Sequence, residues 1–431
     1  MFRIPVLSDK MLRYCLVFYL LACTAINILP LFKDTAPLDL ITLYTAGSMV
    51  RGRENPYEDA ALKDAWRAIG SNQSVRQREK ECEPGIPTAL LYSPNTLLAY
   101  SFLSMAPWRI MPVTIRLAHA VMLALILIVV WRMQNRKSLQ GLLLLTLALT
   151  GFNGLAWFLS GLNPTVFAMF FIVLFYRAFK KDRQVLAGIF LGIATLKITL
   201  VIPFILFVLL RKKWKIALVF MLAAILPYAY LFMIDAAYAS RLVTSWLHGT
   251  QEWDRLMYAI FPGGGTWHGR DIWKWNEMLD YLTSLGPLLS FYCRAVTGEA
   301  SYVLIKSIVL LFGALLFAIT VLIDRKKKIV DELLIVMLLC MELLVNYHLH
   351  YDAFVPLVFL LMAGPSVPKR WYVPLIAATS FFYLPYNGLL IRLEVPKQFY
   401  LWVFNMAVPL LLLFFCVAGA LIGKWPGESS S

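Results

Sequence analysis

The chain has 431 residues, of which 60% are hydrophobic and 15% charged, and its 40 Lys and Arg against 25 Asp and Glu give a net charge of +15. The mean hydropathy is +0.70. This composition excludes a soluble enzyme, because a soluble chain of this length carries far more charge. Apolar runs of spanning length recur from Met11 to Leu421, which excludes a single-anchor protein. The sequence predicts an all-α polytopic membrane protein.

Positive charge is concentrated in five short loops, which we expect to face the cytoplasm. They hold 17 Lys and Arg residues and are accompanied by Asp182 and Asp324. Two long polar segments are nearly neutral and are predicted to lie outside, with 8 basic and 9 acidic residues in 33–83 and 5 basic and 7 acidic residues in 235–299. The net charge therefore indicates topology and contact with the anionic inner leaflet rather than nucleic acid. The basic loops are Arg132–Lys137, Arg177–Arg183, Arg211–Lys215, Arg325–Lys328 and Lys369–Arg370.

We expect residues 1–431 to form one integral membrane domain with external loops at 33–85 and 235–299. The run Met11–Phe32 is too long for the apolar core of a signal peptide and lacks a small-residue cleavage site. It therefore predicts a first span with a cytoplasmic N-terminus. The further predicted spans are Ile110–Trp131, Leu139–Ser160, Asn163–Phe179, Lys215–Ile234, Tyr302–Ile323, Glu332–Asn346, Ala353–Ser366, Trp371–Ile391 and Tyr400–Ile422.

Two regions complicate the count of crossings. Residues 86–107 have the composition of a span, yet a crossing there would place the loop at Arg132 outside. Only 27 residues separate Arg183 from Arg211, whereas two full spans need roughly 20 residues each. Two half-helices that meet near Lys197 would fit, and broken helices in membranes usually line a cavity.

Asp39 follows the first span within the apolar sequence Leu38–Ile41, at the predicted outer interface. A partly desolvated carboxylate is a stronger base, and a base at that depth can deprotonate a hydroxyl beside a lipid-borne substrate. The alternative is that Asp39 caps the helix Leu40–Val50. Both interpretations remain open from this position alone.

Lys197 is predicted to lie at membrane depth, where a lysine usually pairs with an acid or an anionic group such as phosphate. Glu342 lies in the middle of a predicted span and is either the partner of Lys197 or a buried structural carboxyl. The alternative for Lys197 is a side chain that reaches to the interface.

Two of the five histidines, His348 and His350, stand at an outer span end beside Asp352. On a helix, His348 and Asp352 would share a face, and the carboxylate would orient or charge the imidazole next to a phosphate. A metal site is poorly supported, because two histidines and one acid leave ligands missing. An interfacial His and Tyr belt is the alternative.

The remaining polar positions are compatible with simple structural roles. Asn55-Pro56-Tyr57 and Tyr92-Ser93-Pro94 predict turns, and Asn163 either hydrogen-bonds a sugar or caps the next helix. In the second external loop, Glu252-Trp253-Asp254 could bind a divalent metal, but this spacing is common by chance. His268 and Arg270 lie in a Gly- and Trp-rich stretch of the same loop. Cys82 and Cys293 are the cysteines in the two predicted external loops, and the sequence does not decide whether they form a disulfide.

These pieces, taken in order, resemble glycosyltransferase family 87, whose members are multispan enzymes of the GT-C fold. The residues that carry the resemblance run through most of the chain: Asp39 with Tyr44 and Ala46, Gly52 with Asn55-Pro56-Tyr57, Tyr92-Ser93-Pro94, Gly161-Leu162-Asn163, Gly188 and Gly192 with Lys197, and His348, His350 and Asp352. The resemblance implies a bundle of about 10 to 13 transmembrane helices in a bacterial inner membrane.

The resemblance further implies inverting transfer of a sugar, often mannose or arabinose, from a polyprenyl-phosphate donor to a lipid or glycan acceptor on the outer face. Asp39 would be the general base, and no divalent metal would be needed because side chains stabilise the leaving phosphate. The residues expected at the donor phosphate are Lys197, His348, His350 and Arg270. Those expected at the substrates are Tyr44, Asn55, Tyr57, Tyr92, Asn163, His268 and Asp352. A transporter or flippase of lipid-linked sugars is the alternative, although the inverted repeats typical of transporters are not visible.

Overall fold

The described part of the structure, a computed structural model, consists of α-helices and one β-ribbon of two antiparallel strands with two residues each. It describes residues 38–69, 90–133, 139–150, 162–259, 301–345 and 354–363 continuously, and isolated residues within 14–25, 266–271, 286–293 and 410–417. The helices are α1 (Leu38–Arg51), α2 (Asp59–Ala68), α3 (Pro94–Leu103), α4 (Met111–Met133), α5 (Leu139–Thr150), α6 (Thr165–Lys180), α7 (Gln184–Ile193), α8 (Ile198–Leu210), α9 (Trp214–Ile234), α10 (Ala236–Ala259), α11 (Tyr302–Lys327), α12 (Asp331–Val345) and α13 (Phe354–Ala363), and the strands are β1 (Thr266–Trp267) and β2 (Arg270–Asp271).

The predicted spans between residues 110 and 363 coincide with helices α4 to α6, α9 and α11 to α13, which confirms the all-α membrane fold. Four apolar stretches among the described residues are long enough to cross a bilayer: Met111–Met133, Gln184–Leu210, Trp214–Ile234 and Tyr302–Lys326. Large apolar side chains are exposed along α4, α9 and α11, as expected of helix faces that contact lipid. The predicted spans Met11–Phe32, Trp371–Ile391 and Tyr400–Ile422 lie mainly outside the described residues.

Residues 86–107 do not form a span in the described part of this stretch. The helix there, α3, is ten residues long and therefore about 15 Å, half the thickness of a hydrocarbon core. It packs on α1, and the backbone between Leu90 and Ser93 leads into it without helical structure. If α3 is not counted as a crossing, the predicted spans put the loop at Arg132 on the same side as the other basic loops, as the charge pattern requires.

Residues 184–210 fold back on themselves as the half-helix prediction requires. The Lys213 ammonium lies 2.9 Å from the Asp182 carboxylate, whereas a straight helix of 27 residues would hold its ends about 40 Å apart. Moreover, a Cβ on Gly188 would meet Val219, and a Cβ on Gly192 would meet Ala223. Because both partners lie four residues further along their own helices, α7 and α9 run parallel. Helix α8 therefore returns the chain to the end from which α7 started.

The turn of this hairpin is a short 3-10 helix, Ala194–Lys197. Lys197 leaves helical geometry at φ −133° and ψ 85°, and α8 begins at the next residue. We call residues 184–210 the re-entrant hairpin, with Lys197 at its tip. Its first arm packs on α6 and α9 and its second on α12.

The basic loops that the structure describes gather at the open end of the hairpin. Arg211 lies 2.7 Å from both Asp324 and Asp331, and these three side chains are at most 23% exposed. Lys180 lies within 3.5 Å of Asp331 and of Glu332. These ion pairs join the ends of α6, α8 and α11 to the start of α12. We call this the basic end of the bundle.

Candidate functional site

Asp39 is held at the opposite end of the bundle, on helix α1. The structure describes this helix from Leu38 onward, so Asp39 is already helical and does not cap a helix that starts at Leu40, as one hypothesis had it. The rest of the helix is almost fully enclosed, with Leu40, Ile41 and Leu43 at zero exposure, while Asp39 itself is half-buried.

The position of α1 depends on a close contact with α3. A Cβ added to Gly47 would lie 2.5 Å from the carbonyl carbon of Tyr100, so only glycine allows the two backbones to approach this closely. Tyr44, one turn earlier, donates a 2.9 Å hydrogen bond to the carbonyl of Ala106. Helix α1 is therefore fixed against the segment that leads into α4.

The side chain of Asp39 meets the turn that precedes α6. The side-chain amide of Asn163 donates to Asp39 Oδ2 at 3.0 Å and to the hydroxyl of Tyr92 at 3.0 Å. Asn163 also accepts from the backbone N–H of Thr165 at 3.0 Å, so the capping role predicted for it is present. The family resemblance assigned Asp39, Tyr92 and Asn163 to the substrates, and the fold brings the three side chains into contact.

Lys197 reaches the same place from the tip of the re-entrant hairpin. Its ammonium donates a 2.8 Å hydrogen bond to the Thr165 hydroxyl, which lies 2.6 Å from Asn163 Oδ1. Asp39 and Lys197 thus belong to one polar cluster, which we define as Asp39, Tyr92, Asn163, Thr165 and Lys197. Helix α6 has 16 residues, so about 24 Å separates this cluster from the basic end at Lys180.

Thr165 is the member of the polar cluster that the sequence analysis missed. The sequence gives little indication that Thr165 belongs to the site, because a threonine at the start of an apolar helix is ordinarily explained by hydrogen bonds to the nearby backbone. Only the tertiary structure shows that Lys197, 32 residues later in the sequence, donates a hydrogen bond to the Thr165 hydroxyl.

A second set of polar contacts ties α3 to the hairpin tip. Thr96 donates a 2.6 Å hydrogen bond to the carbonyl of Leu196, and the Asn95 amide lies 3.4 Å from Thr195 and 3.2 Å from the carbonyl of Ala224. Buried backbone carbonyls at a helix break need such partners. The tip that carries Lys197 is therefore held by α3.

Two other predicted substrate residues support the loops around the cluster. Tyr57 donates a 2.7 Å hydrogen bond to the backbone carbonyl of Tyr92, and burial raises its pKa well above the usual value. Asn55 donates to Ser245 at 3.0 Å and accepts from the N–H of Tyr57 at 3.2 Å. These contacts connect the first external loop to α10.

The structure gives less information on the other predicted site residues. His268, His348, His350, Asp352 and Cys82 lie outside the described residues, so their roles and the disulfide remain predictions. The backbone of Arg270 pairs with that of Trp267 in the β-ribbon. Glu342 is buried in the middle of α12, and no described contact settles which of its two predicted roles it has.

The acidic pair in Glu252-Trp253-Asp254 is engaged with neighbouring side chains. Lys306 donates to Asp254 at 3.0 Å, and the hydroxyl of Tyr302 donates to the same carboxylate at 2.5 Å. His248 lies 3.5 Å from Glu252. Within the described part of the chain, no group of three or more His, Cys, Asp or Glu could hold a metal ion. The expectation that transfer needs no metal stays a prediction.

Comparison with known proteins gives one match. No curated protein and no solved structure matches the chain. The sequence pattern of "Glycosyltransferase family 87" matches residues 90–346, a range that includes Tyr92, Asn163, Thr165 and Lys197 and ends before His348. Asp39 precedes this range and joins it through its hydrogen bond to Asn163. Because the match extends over more than half of its 431 residues, the chain belongs to glycosyltransferase family 87, a family of membrane glycosyltransferases.

Proposed function

We propose that the protein is an inverting glycosyltransferase that moves a sugar from a polyprenyl-phosphate donor to a hydroxyl of a lipid or glycan acceptor. The observation that carries this proposal is the polar cluster, in which an aspartate and a lysine from distant parts of the chain are joined through Asn163 and Thr165 at one end of an apolar bundle. A carboxylate and an ammonium are the two charges that the reaction requires, one for the acceptor and one for the leaving phosphate.

In this mechanism the acceptor oxygen attacks the anomeric carbon from the face opposite the phosphate. Asp39 takes the hydroxyl proton as the new glycosidic bond forms. The bond from the anomeric carbon to the phosphate oxygen breaks, and the phosphate leaves on the lipid with the bonding electron pair. Lys197 offsets the charge that develops on that oxygen. His348, His350 and Arg270 are further candidates for contacts with the phosphate.

The polar cluster is assigned to the extracytoplasmic face. Support comes from the basic end, since short loops rich in Lys and Arg stay in the cytoplasm and the cluster lies about 24 Å away along α6. The donor lipid would reach the cluster through the membrane, with its phosphate at the interface. A bacterial inner membrane and a mannose or arabinose donor follow from the family resemblance alone.

The test is a transfer assay with Asp39→Asn protein in lipid nanodiscs and a panel of polyprenyl-phosphate sugars. The amide keeps the shape of the carboxylate but cannot accept the proton, so transfer should fall by about 10²- to 10⁴-fold. Asp64→Asn is the matched control, because Asp64 is 74% exposed and pairs only with its neighbour Arg67 among the described residues. Full activity of Asp39→Asn would remove the proposed base. Movement of intact lipid-linked sugar across liposomes without a new glycosidic bond would support a flippase instead.

A further inference from the structure

The hydrogen bonds of the polar cluster have directions that their chemistry fixes. The backbone N–H of Thr165 can only donate, so the atom of Asn163 that faces it is the oxygen. The amide nitrogen of Asn163 therefore faces Asp39 and Tyr92. The ammonium of Lys197 can also only donate, so the Thr165 hydroxyl accepts from Lys197 and gives its own proton to Asn163.

These directions leave the Asn163 amide in a single orientation. Its two N–H groups go to Asp39 and Tyr92, and its oxygen accepts twice from Thr165, which uses the full capacity of the group. Asn163 and Thr165 are both at zero exposure. An amide that is buried and fully engaged has no group to offer a sugar, although the sequence analysis assigned Asn163 to the substrate.

We propose that Asn163 and Thr165 are positioning residues that orient the Asp39 carboxylate for the acceptor hydroxyl. Asn163 holds Oδ2 of Asp39 with a donated hydrogen bond, which leaves Oδ1 to face the acceptor. Thr165 fixes Asn163, and Lys197 fixes the proton of Thr165. This series of hydrogen bonds transfers no proton. It couples the position of the Asp39 carboxylate to the tip of the re-entrant hairpin. The positioning role rests on the proposed function of Asp39.

The decisive variant is Thr165→Val, which replaces the hydroxyl by a methyl group of similar size and keeps the backbone N–H. Asn163 then loses one of two bonds to its oxygen, and the carboxylate is less well placed. We expect kcat to fall by about 10- to 100-fold while the KM values for donor and acceptor change by less than about threefold. Thr165→Ser keeps the hydroxyl and should restore kcat to within about threefold of the wild-type value.

Two further variants keep the test informative if Thr165→Val folds poorly. Thr165→Ala removes the same hydroxyl without adding volume and should give the same kcat loss per folded molecule. Thr114→Val is the matched control, because the Thr114 hydroxyl is exposed and, among the described residues, bonds only the carbonyl of Ile110, the residue before its helix. It should leave kcat unchanged. The folded fraction of each variant is measured by size-exclusion elution and by Tm in detergent.

The outcomes separate this inference from the proposed function. A wild-type kcat in Thr165→Val or Thr165→Ala, with Asp39→Asn inactive, would overturn the positioning role and leave Asp39 as the base. A Thr165→Ser variant as impaired as Thr165→Val would show that packing rather than the hydroxyl matters. A wild-type protein that transfers none of the polyprenyl-phosphate sugars would overturn the proposed function itself.

Discussion

Asn163 donates a 3.0 Å hydrogen bond to Asp39 across 124 positions of sequence. The contact joins the first turn of α1 to the turn that precedes α6, and it ties a residue outside the family-matched range to one inside it. Because Thr165 and Lys197 follow in the same cluster, one short path connects the proposed base to the hairpin tip. The two groups proposed to act in the reaction are therefore placed by contacts between three separate segments.

Removal of the Lys197 charge should impair use of the donor. Lys197→Met keeps most of the apolar stem, but it leaves the leaving phosphate without its ammonium, so kcat/KM for the donor should fall by about 10²- to 10³-fold. Lys181→Met, an exposed cation at the basic end, is the control and should behave as wild type. Steady-state kinetics with varied donor measures both. Equal kinetics for Lys197→Met and wild type would exclude Lys197 from the donor site.

A methyl group at Gly47 should displace α1 and the aspartate that it carries. Alanine normally stabilises a helix interior by about 1 kcal/mol relative to glycine, but at Gly47 its Cβ would lie 2.5 Å from the backbone of Tyr100. Gly47→Ala should therefore lower both Tm and transfer rate. Gly249→Ala is the matched control in α10, where a Cβ meets nothing within 4 Å, and it should raise Tm or leave it unchanged. A Gly47→Ala protein as stable and active as wild type would argue against the close helix contact.

The two ends of the re-entrant hairpin should be labelled from the same side of the membrane. Thiols are introduced by Asp182→Cys and Lys213→Cys in a protein whose six cysteines are changed to serine. A membrane-impermeant maleimide should react with both in inside-out vesicles and with neither in right-side-out vesicles. Arg53→Cys, an exposed position whose side chain lies 3.5 Å from Asp235 at the opposite end of α9 from Lys213, should show the reverse pattern. Labelling of positions 182 and 213 from opposite sides would replace the hairpin by a crossing helix.

Loss of Arg211 should destabilise the protein more than loss of Lys213. Arg211→Met leaves Asp324 and Asp331 without a shared cation in a site at most 23% exposed, and the expected cost is about 3 kcal/mol. Lys213 forms an exposed pair with Asp182, whose pKa it lowers by its hydrogen bond, with a second donor at Gln184. Lys213→Met should cost clearly less than Arg211→Met, because solvent screens an exposed ion pair.

Chemical denaturation in detergent, followed by tryptophan fluorescence, compares these two variants. A similar loss for both would mean that the Arg211 ion pairs are as weak as those on the surface.

Many features of the fold could be predicted from the sequence because hydrophobicity and loop charge vary strongly along it. Apolar runs of spanning length must form helices in lipid, where every backbone group needs a partner, and the basic loops fix which helix ends lie together. The basic clusters at Arg183 and Arg211, with only 27 residues between them, predicted a broken, returning segment. Residues 86–107 show the limit of this argument, since their composition fits a span while α3 is only ten residues long.

The sequence by itself determined the helical membrane fold and singled out the charged residues that are candidates for the site, because a charge in an apolar run is costly and therefore conspicuous. It named Asp39, Asn163 and Lys197 as separate positions with competing structural roles. Only the tertiary structure decided that they meet, that Thr165 joins them and that Asn163 turns its amide nitrogen to Asp39. Those facts depend on contacts between distant segments, and hydrogen-bond geometry of that kind leaves no periodic signal in a sequence.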